Sequence, residues 1–180
     1  IQIHPTYNDA LLLLGNLQFE AGRPADSTLK YYMRILQTAP DHKQVYQNLP
    51  AIIAKLHTPE AKIAAYKKLL VYNPQRFELN YQLALLYGKT LGQLNQSLPY
   101  FRQAFKANPE HVGMLKDYSV VLGMLGRFEE SNQLLRRAQQ LRPNDAQIYI
   151  NMGINYRQLG DKEKANACFQ RANQLKSTQP

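Results

Sequence analysis

A chain of 180 residues with 44% hydrophobic residues can bury a substantial core, and 22 lysines and arginines against 13 acids leave it with a net charge of +9. One cysteine excludes an internal disulfide. No run approaches the roughly 18 consecutive apolar residues of a spanning helix, and no charged-then-apolar segment opens the chain, so neither a membrane span nor an export signal is read in these residues.

Prolines set a period: Pro5, Pro40, Pro74, Pro109 and Pro143 fall 35, 34, 35 and 34 residues apart. Ile1 to Pro5 has the form of the segments that close later units, so residues 1–7 are expected to be the tail of a preceding repeat in a longer protein. The first unit, from about Asn8 to Ala39, sets Leu11, Leu14 and Gly15 on one helical stripe. Gln18 interrupts it where the other units carry Ile53, Tyr87, Leu122 or Tyr156, and Leu17 or Phe19 is expected to take over. Gly22 and Pro24 turn the chain into a second helix with the stripe Thr28, Tyr31, Tyr32, Ile35 and Thr38.

The second unit, Asp41 to Asn73, puts Pro50 where the others carry a small residue, at a cost of roughly 3 kcal/mol unless the helix bends. His57, Thr58 and Pro59 replace its turn glycine, and Pro59 suits a helix start. The third unit, Gln75 to Asn108, carries Leu83, Ala84 and Tyr87, one extra residue before Gly92, then Ser97, Phe101, Ala104 and Ala107. The fourth has Leu115, Tyr118, Ser119 and Leu122 before Gly126, and Ser131, Leu134, Leu135, Ala138 and Leu141 after it. The fifth has Tyr149, Met152, Gly153 and Tyr156 before Gly160, and Ala165, Cys168, Phe169, Ala172 and Leu175 after it. Each unit is thus two antiparallel helices whose stripes need neighbours of the same kind.

This pattern resembles the tetratricopeptide repeat family: a small residue where the first helix crosses the second, aromatic neighbours, a small residue on the second helix and a proline before the next unit. The resemblance covers nearly all 180 residues. It implies an all-α, right-handed solenoid superhelix of five two-helix repeats, at about 8–42, 43–76, 77–111, 112–145 and 146–177, forming a single domain over 1–180. It also implies a concave groove lined by the first helices, where protein partners bind.

Two residues ahead of the small crossing position stand Asn48, Gln82, Asp117 and Asn151, with Leu13 in the first unit. Carboxamides both donate to and accept from a peptide backbone, and this row is similar to the asparagine ladder of the O-linked N-acetylglucosamine transferase repeats. Tyr81, Lys116, Ile150, Lys55, Lys89 and Arg157 are expected beside it, which would suit an extended acidic or polar peptide. Repeat domains that clamp a chaperone's terminal carboxylate carry a lysine one turn before an asparagine; Leu12 stands at that place before Asn16, which argues against the clamp.

The basic residues are scattered and most aromatic residues fall on core stripes, so an RNA-binding array ranks below peptide capture. A structural spacer or self-association segment, attached to a catalytic or membrane domain elsewhere in a parent chain, is the main alternative. His4, His42, His57 and His111 lie in or beside turns without ligands at metal spacing, no glycine-rich phosphate loop occurs, and Asp117 and Glu129 make no acid–base pair. No cofactor, metal or catalytic residue is expected.

Overall fold

The computed structural model describes residues 5–177, and among them every regular element is a helix. In chain order these are α1 (Pro5–Glu20), α2 (Ala25–Thr38), α3 (Lys43–Ala54), α4 (Pro59–Leu70) and α5 (Phe77–Leu85), which continues as one π-helical turn over Leu86–Thr90. They are followed by α6 (Leu94–Ala107), α7 (Val112–Met124), α8 (Phe128–Leu141), α9 (Ala146–Gln158) and α10 (Lys162–Ser177). The helices pair as five hairpins. By packing, the chain divides after Leu79 into two compact units. The expected repeat tail falls largely outside the described residues; α1 already runs from Pro5.

In the first unit Gly15 meets the ring of Tyr32 so closely that a Cβ there would lie 2.8 Å from it, and Tyr32 is fully buried. The small residue at this crossing is therefore a steric requirement. Leu11 is buried with it, but Leu14 and Leu17 are 44% and 49% exposed and Phe19 is half-buried. The expected stripe is corrected: Leu11 and Gly15, one turn apart, face α2, whereas Leu14 and Leu17 lie on a flank that α2 does not reach. Pro50 departs from its expected role as well. It is exposed within a helix continuous from Lys43 to Ala54, while Leu49 beside it is buried, so the ring does not occupy a crossing. The His57–Pro59 turn behaves as its residues dictate: the Thr58 hydroxyl accepts a hydrogen bond from the Ala61 N–H at 3.1 Å, and Pro59 opens α4.

In the second unit the extra residue before Gly92 becomes the π-helical turn, in which the Leu91 N–H donates to the Leu86 carbonyl at 3.0 Å. Phe101 is fully buried and stacks on Tyr118 with centroids 5.0 Å apart. Gly153 lies against Phe169 as Gly15 does against Tyr32. Ala107 and Leu141, expected in the core, are exposed because each is the last residue of its helix, where the packed face has ended. Cys168 is half-buried, and burial pushes its thiol pKa up.

Two details tie the proline period to structure. The Tyr46 hydroxyl donates to the Pro40 carbonyl at 2.7 Å, and the Tyr149 hydroxyl donates to the Pro143 carbonyl at 2.8 Å, the same bond in two repeats. Gly22, Gly92, Gly126 and Gly160 close the hairpins at φ between 66° and 80°, where side chains are strained. His42 and His111 cap α3 and α7 through Nδ1, accepting from the N–H groups of Val45 and Met114.

Candidate functional site

The expected contact line begins, in the first unit, with a residue already committed. Asn48 on α3 donates through Nδ2 to Asn16 Oδ1 at 3.2 Å and to the Tyr32 hydroxyl at 3.0 Å, and its Oδ1 accepts from Gln44 at 3.2 Å. The Tyr32 hydroxyl in turn donates to Asn16 Oδ1 at 2.6 Å, so one carboxamide cluster links α1, α2 and α3. Burial raises the Tyr32 pKa, with the Asn48 bond pulling the other way. Lys55 is exposed at the C-terminal end of α3.

In the second unit three of the expected residues come together. The Tyr81 hydroxyl donates to Asp117 Oδ2 at 2.5 Å, and Lys89 Nζ lies 3.3 Å from Asp117 Oδ1. Burial, followed by the bond to the Asp117 carboxylate, holds the Tyr81 pKa well above its usual value. Lys116 is spent on Asp145 at 2.6 Å, with both side chains about a quarter exposed. Gln82 is exposed. Arg157 is exposed, with its guanidinium 6.0 Å from the centroid of the Phe169 ring. Ile150, expected on the open face, is half-buried against Tyr149, Ala172 and Leu175. Of the expected basic residues, Lys89 and Lys116 are thus paired with aspartates, whereas Lys55 and Arg157 are exposed.

Of the expected row of Asn48, Gln82, Asp117 and Asn151, it is Asn151 that borders a hollow. Between α7 and α9 lies a hollow of about 480 Å³, lined by Val120, Met124, Phe128, Ile154, Asn151 and Gln158 among others. Val120, Met124 and Ile154 are 44%, 67% and 40% exposed, an apolar patch on the first-helix face. Its floor is a buried polar network: Asn155 Nδ2 donates to Ser131 Oγ at 2.7 Å and to Asn132 Oδ1 at 2.9 Å, and Ser131 Oγ donates to the Ser119 carbonyl at 2.7 Å. A Cβ on Gly123 would stand 3.2 Å from Asn155 Oδ1, so the glycine admits this side chain. Such a floor is rigid because its polar groups are mutually satisfied. Among the described residues no three His, Cys, Asp or Glu side chains gather in a metal-holding group, and no helix is long and apolar enough to cross a membrane.

Three family models, each described as tetratricopeptide repeat, match residues 9–42, 89–146 and 146–178, together well over half of the chain. The chain is a tetratricopeptide repeat protein. Its fold is the all-α solenoid of that family, shared with solved structures at low sequence identity. MamA superposes with a TM-score of 0.71 at 16% identity, covering 97% of this chain and 94% of that one. A MamA AMB-1 structure gives 0.71 at 21%, covering 98% and 96%. YrrB, described as a tetratricopeptide repeat protein with an unusual peptide-binding site, gives 0.72 at 18%, covering 93% and 86%. None of the curated proteins matches the sequence.

Within this tetratricopeptide array, sequence reasoning missed Asn155 and the apolar patch above it. The signal was present in the register: counted from the preceding proline, Asn155 stands where the third and fourth repeats carry Leu86 and Val121. A polar residue at an apolar repeat position marks a polar partner close by, here Ser131 and Asn132 of the preceding repeat. The patch left no such mark, since Val120 and Ile154 look like ordinary helix residues until α7 and α9 are set side by side.

Proposed function

We propose that this protein is a non-catalytic binding module that holds an extended segment of a partner protein along the first helices of its second unit, with an apolar side chain seated between α7 and α9. The observation that carries this is the cavity over a rigid polar floor, with Val120, Met124 and Ile154 at its mouth and Asn151 and Gln158 beside it. Its volume and its mixture of apolar wall with a few amide groups match those of ligand sites in general. The amides serve the segment's backbone and the apolar mouth takes its side chain. Because Lys116 and Lys89 are paired with Asp145 and Asp117, of the acidic or polar segments expected a neutral polar one fits this face better. YrrB, of the same fold, is described as having an unusual peptide-binding site, which supports a peptide partner for this fold without saying on which face.

The test is selection of displayed peptides on the intact chain, followed by measurement of the enriched sequences on Ile154→Asp. Enriched peptides should share an apolar residue, and the variant should bind at least about tenfold more weakly while melting as the parent does. Peptides that bind the variant equally well would refute the reading.

A second reading, an architectural spacer, is favoured at one place by the bonds of Asn48 to α1 and α2. Replacing Asn48, Gln82 and Asn151 singly by alanine separates the two roles. Asn48→Ala should lower the melting temperature, and Asn151→Ala should weaken peptide binding with melting nearly unchanged.

A further inference from the structure

The chain's excess of positive charge is largely absent from the first-helix face, where Lys89, Lys116 and Arg157 are answered by Asp117, Asp145 and the ring of Phe169. Four cations gather on the second-helix side of the second unit. There α6 and α8 border a cleft of about 600 Å³ whose rim carries Arg102, Lys106, Arg136 and Arg137, all exposed. Phe105 and Leu134, both half-buried, form an apolar floor with Tyr118 beneath. The acid in the lining is Glu130, and its carboxylate is already taken: Arg127 donates to it through Nε and Nη2, each at 2.6 Å. That bond, and more weakly the charge of Arg102, holds the Glu130 pKa below the usual carboxylate range. Four cations thus surround an apolar floor whose lining carboxylate, Glu130, is bonded to a fifth, Arg127, so positive charge predominates around the cleft.

We propose that this cleft is a second interaction surface, separate from the first-helix face, and that it docks an acidic segment of a partner protein with an apolar side chain among its carboxylates. Charge complementarity selects the sign of the partner. Three of the four cations are arginines, whose planar forks bind carboxylates bidentately. The floor requires something to cover it, which a string of carboxylates alone would not do. Nucleic acid fits less well. Base stacking needs free ring faces, and here the Arg137 guanidinium lies 5.8 Å from the Phe105 centroid while Tyr118 is buried against Phe101. A lipid surface would meet the rim but leave the hollow between the helices unfilled.

The experiment measures anisotropy of a labelled peptide of repeating Glu-Glu-Leu-Glu with the intact chain. Controls are an all-Glu peptide, vesicles containing phosphatidylserine and single-stranded oligothymidylate. The Leu-containing acidic peptide should bind most tightly, with affinity falling steeply as salt rises, and R102Q/R137Q should weaken it at least about tenfold. Both side chains are exposed, so the variant should keep the parent's helical circular dichroism and melting temperature. Ile154→Asp, on the other face, should leave this binding unchanged. Equal binding by R102Q/R137Q, equal binding of the all-Glu peptide, or tighter binding of the vesicles or the oligonucleotide would each overturn the proposal.

Discussion

At one and the same repeat position, Asn48 in the first unit and Asn151 in the second serve different ends. Asn48 is drawn into a cluster with Asn16 and Tyr32 that bonds helices of neighbouring repeats together. Asn151 is bonded within its own helix, to Gln147 at 2.8 Å, and opens into the hollow between α7 and α9. What differs is the surroundings. In the first unit a buried tyrosine hydroxyl lies within reach and recruits the amide. In the second, the polar demand of the core is met by Asn155, Ser131 and Asn132, and Asn151 keeps to its own helix at the edge of the hollow. A repeat position is thus a location, and its role depends on whether the neighbouring repeat leaves a polar group to be satisfied.

The largest effect should separate a buried stripe position in the second unit from an exposed one in the first when each is truncated. Phe101→Ala removes a fully buried ring stacked on Tyr118 and should cost about 3–5 kcal/mol, read as a lowered urea midpoint. Leu14→Ala in the first unit, a core position by sequence pattern but 44% exposed, should cost well under this. A comparable loss would mean that Leu14 is covered after all.

A smaller difference should separate the two amides that do structural work. Asn155→Ala strips a buried donor from Ser131 and Asn132 and should destabilise by about 1–3 kcal/mol, since buried groups left without partners carry the cost of desolvation. Asn48→Ala acts in a half-exposed cluster where water can replace it, and about 1 kcal/mol is expected in thermal unfolding. If the order is reversed, the first unit rests on its amide cluster more than the second does on its own.

The smallest effect is silent at neutral pH. Burial raises the Tyr66 pKa in the first unit to about 12, against 10.0 for a free tyrosine. Folding favours the neutral phenol, so the associated stability is complete below pH 10 and is lost as pH rises from there toward 12. Tyr66→Phe should flatten that alkaline decline in a series of denaturant titrations. An unchanged decline would assign it to other groups, such as Tyr81 in the second unit, whose pKa is also raised.

The repeat was legible in the amino-acid order because burial at helical spacing and turn chemistry are local properties. Prolines one repeat apart, glycines closing hairpins and small residues facing Tyr32 or Phe169 follow from sterics that any neighbouring repeat would impose. The extra residue before Gly92 was countable in the same way, though its form as a π-helical turn was not. Which face of a helix is covered, and which lysine finds an aspartate, depends on side chains brought together from neighbouring helices. Hence Leu14, Pro50 and Ile150 fell on other sides than the pattern assigned them, Lys116 and Lys89 turned out to be paired, and the cations left uncompensated lie around Arg102 and Arg137. Sequence alone determined that hairpins of this kind would form, because stripe and turn recur in every repeat and so each hairpin meets a neighbour able to cover it. Tertiary structure decided where open apolar surface and unbalanced charge remain, because each is what is left once every neighbour has been placed.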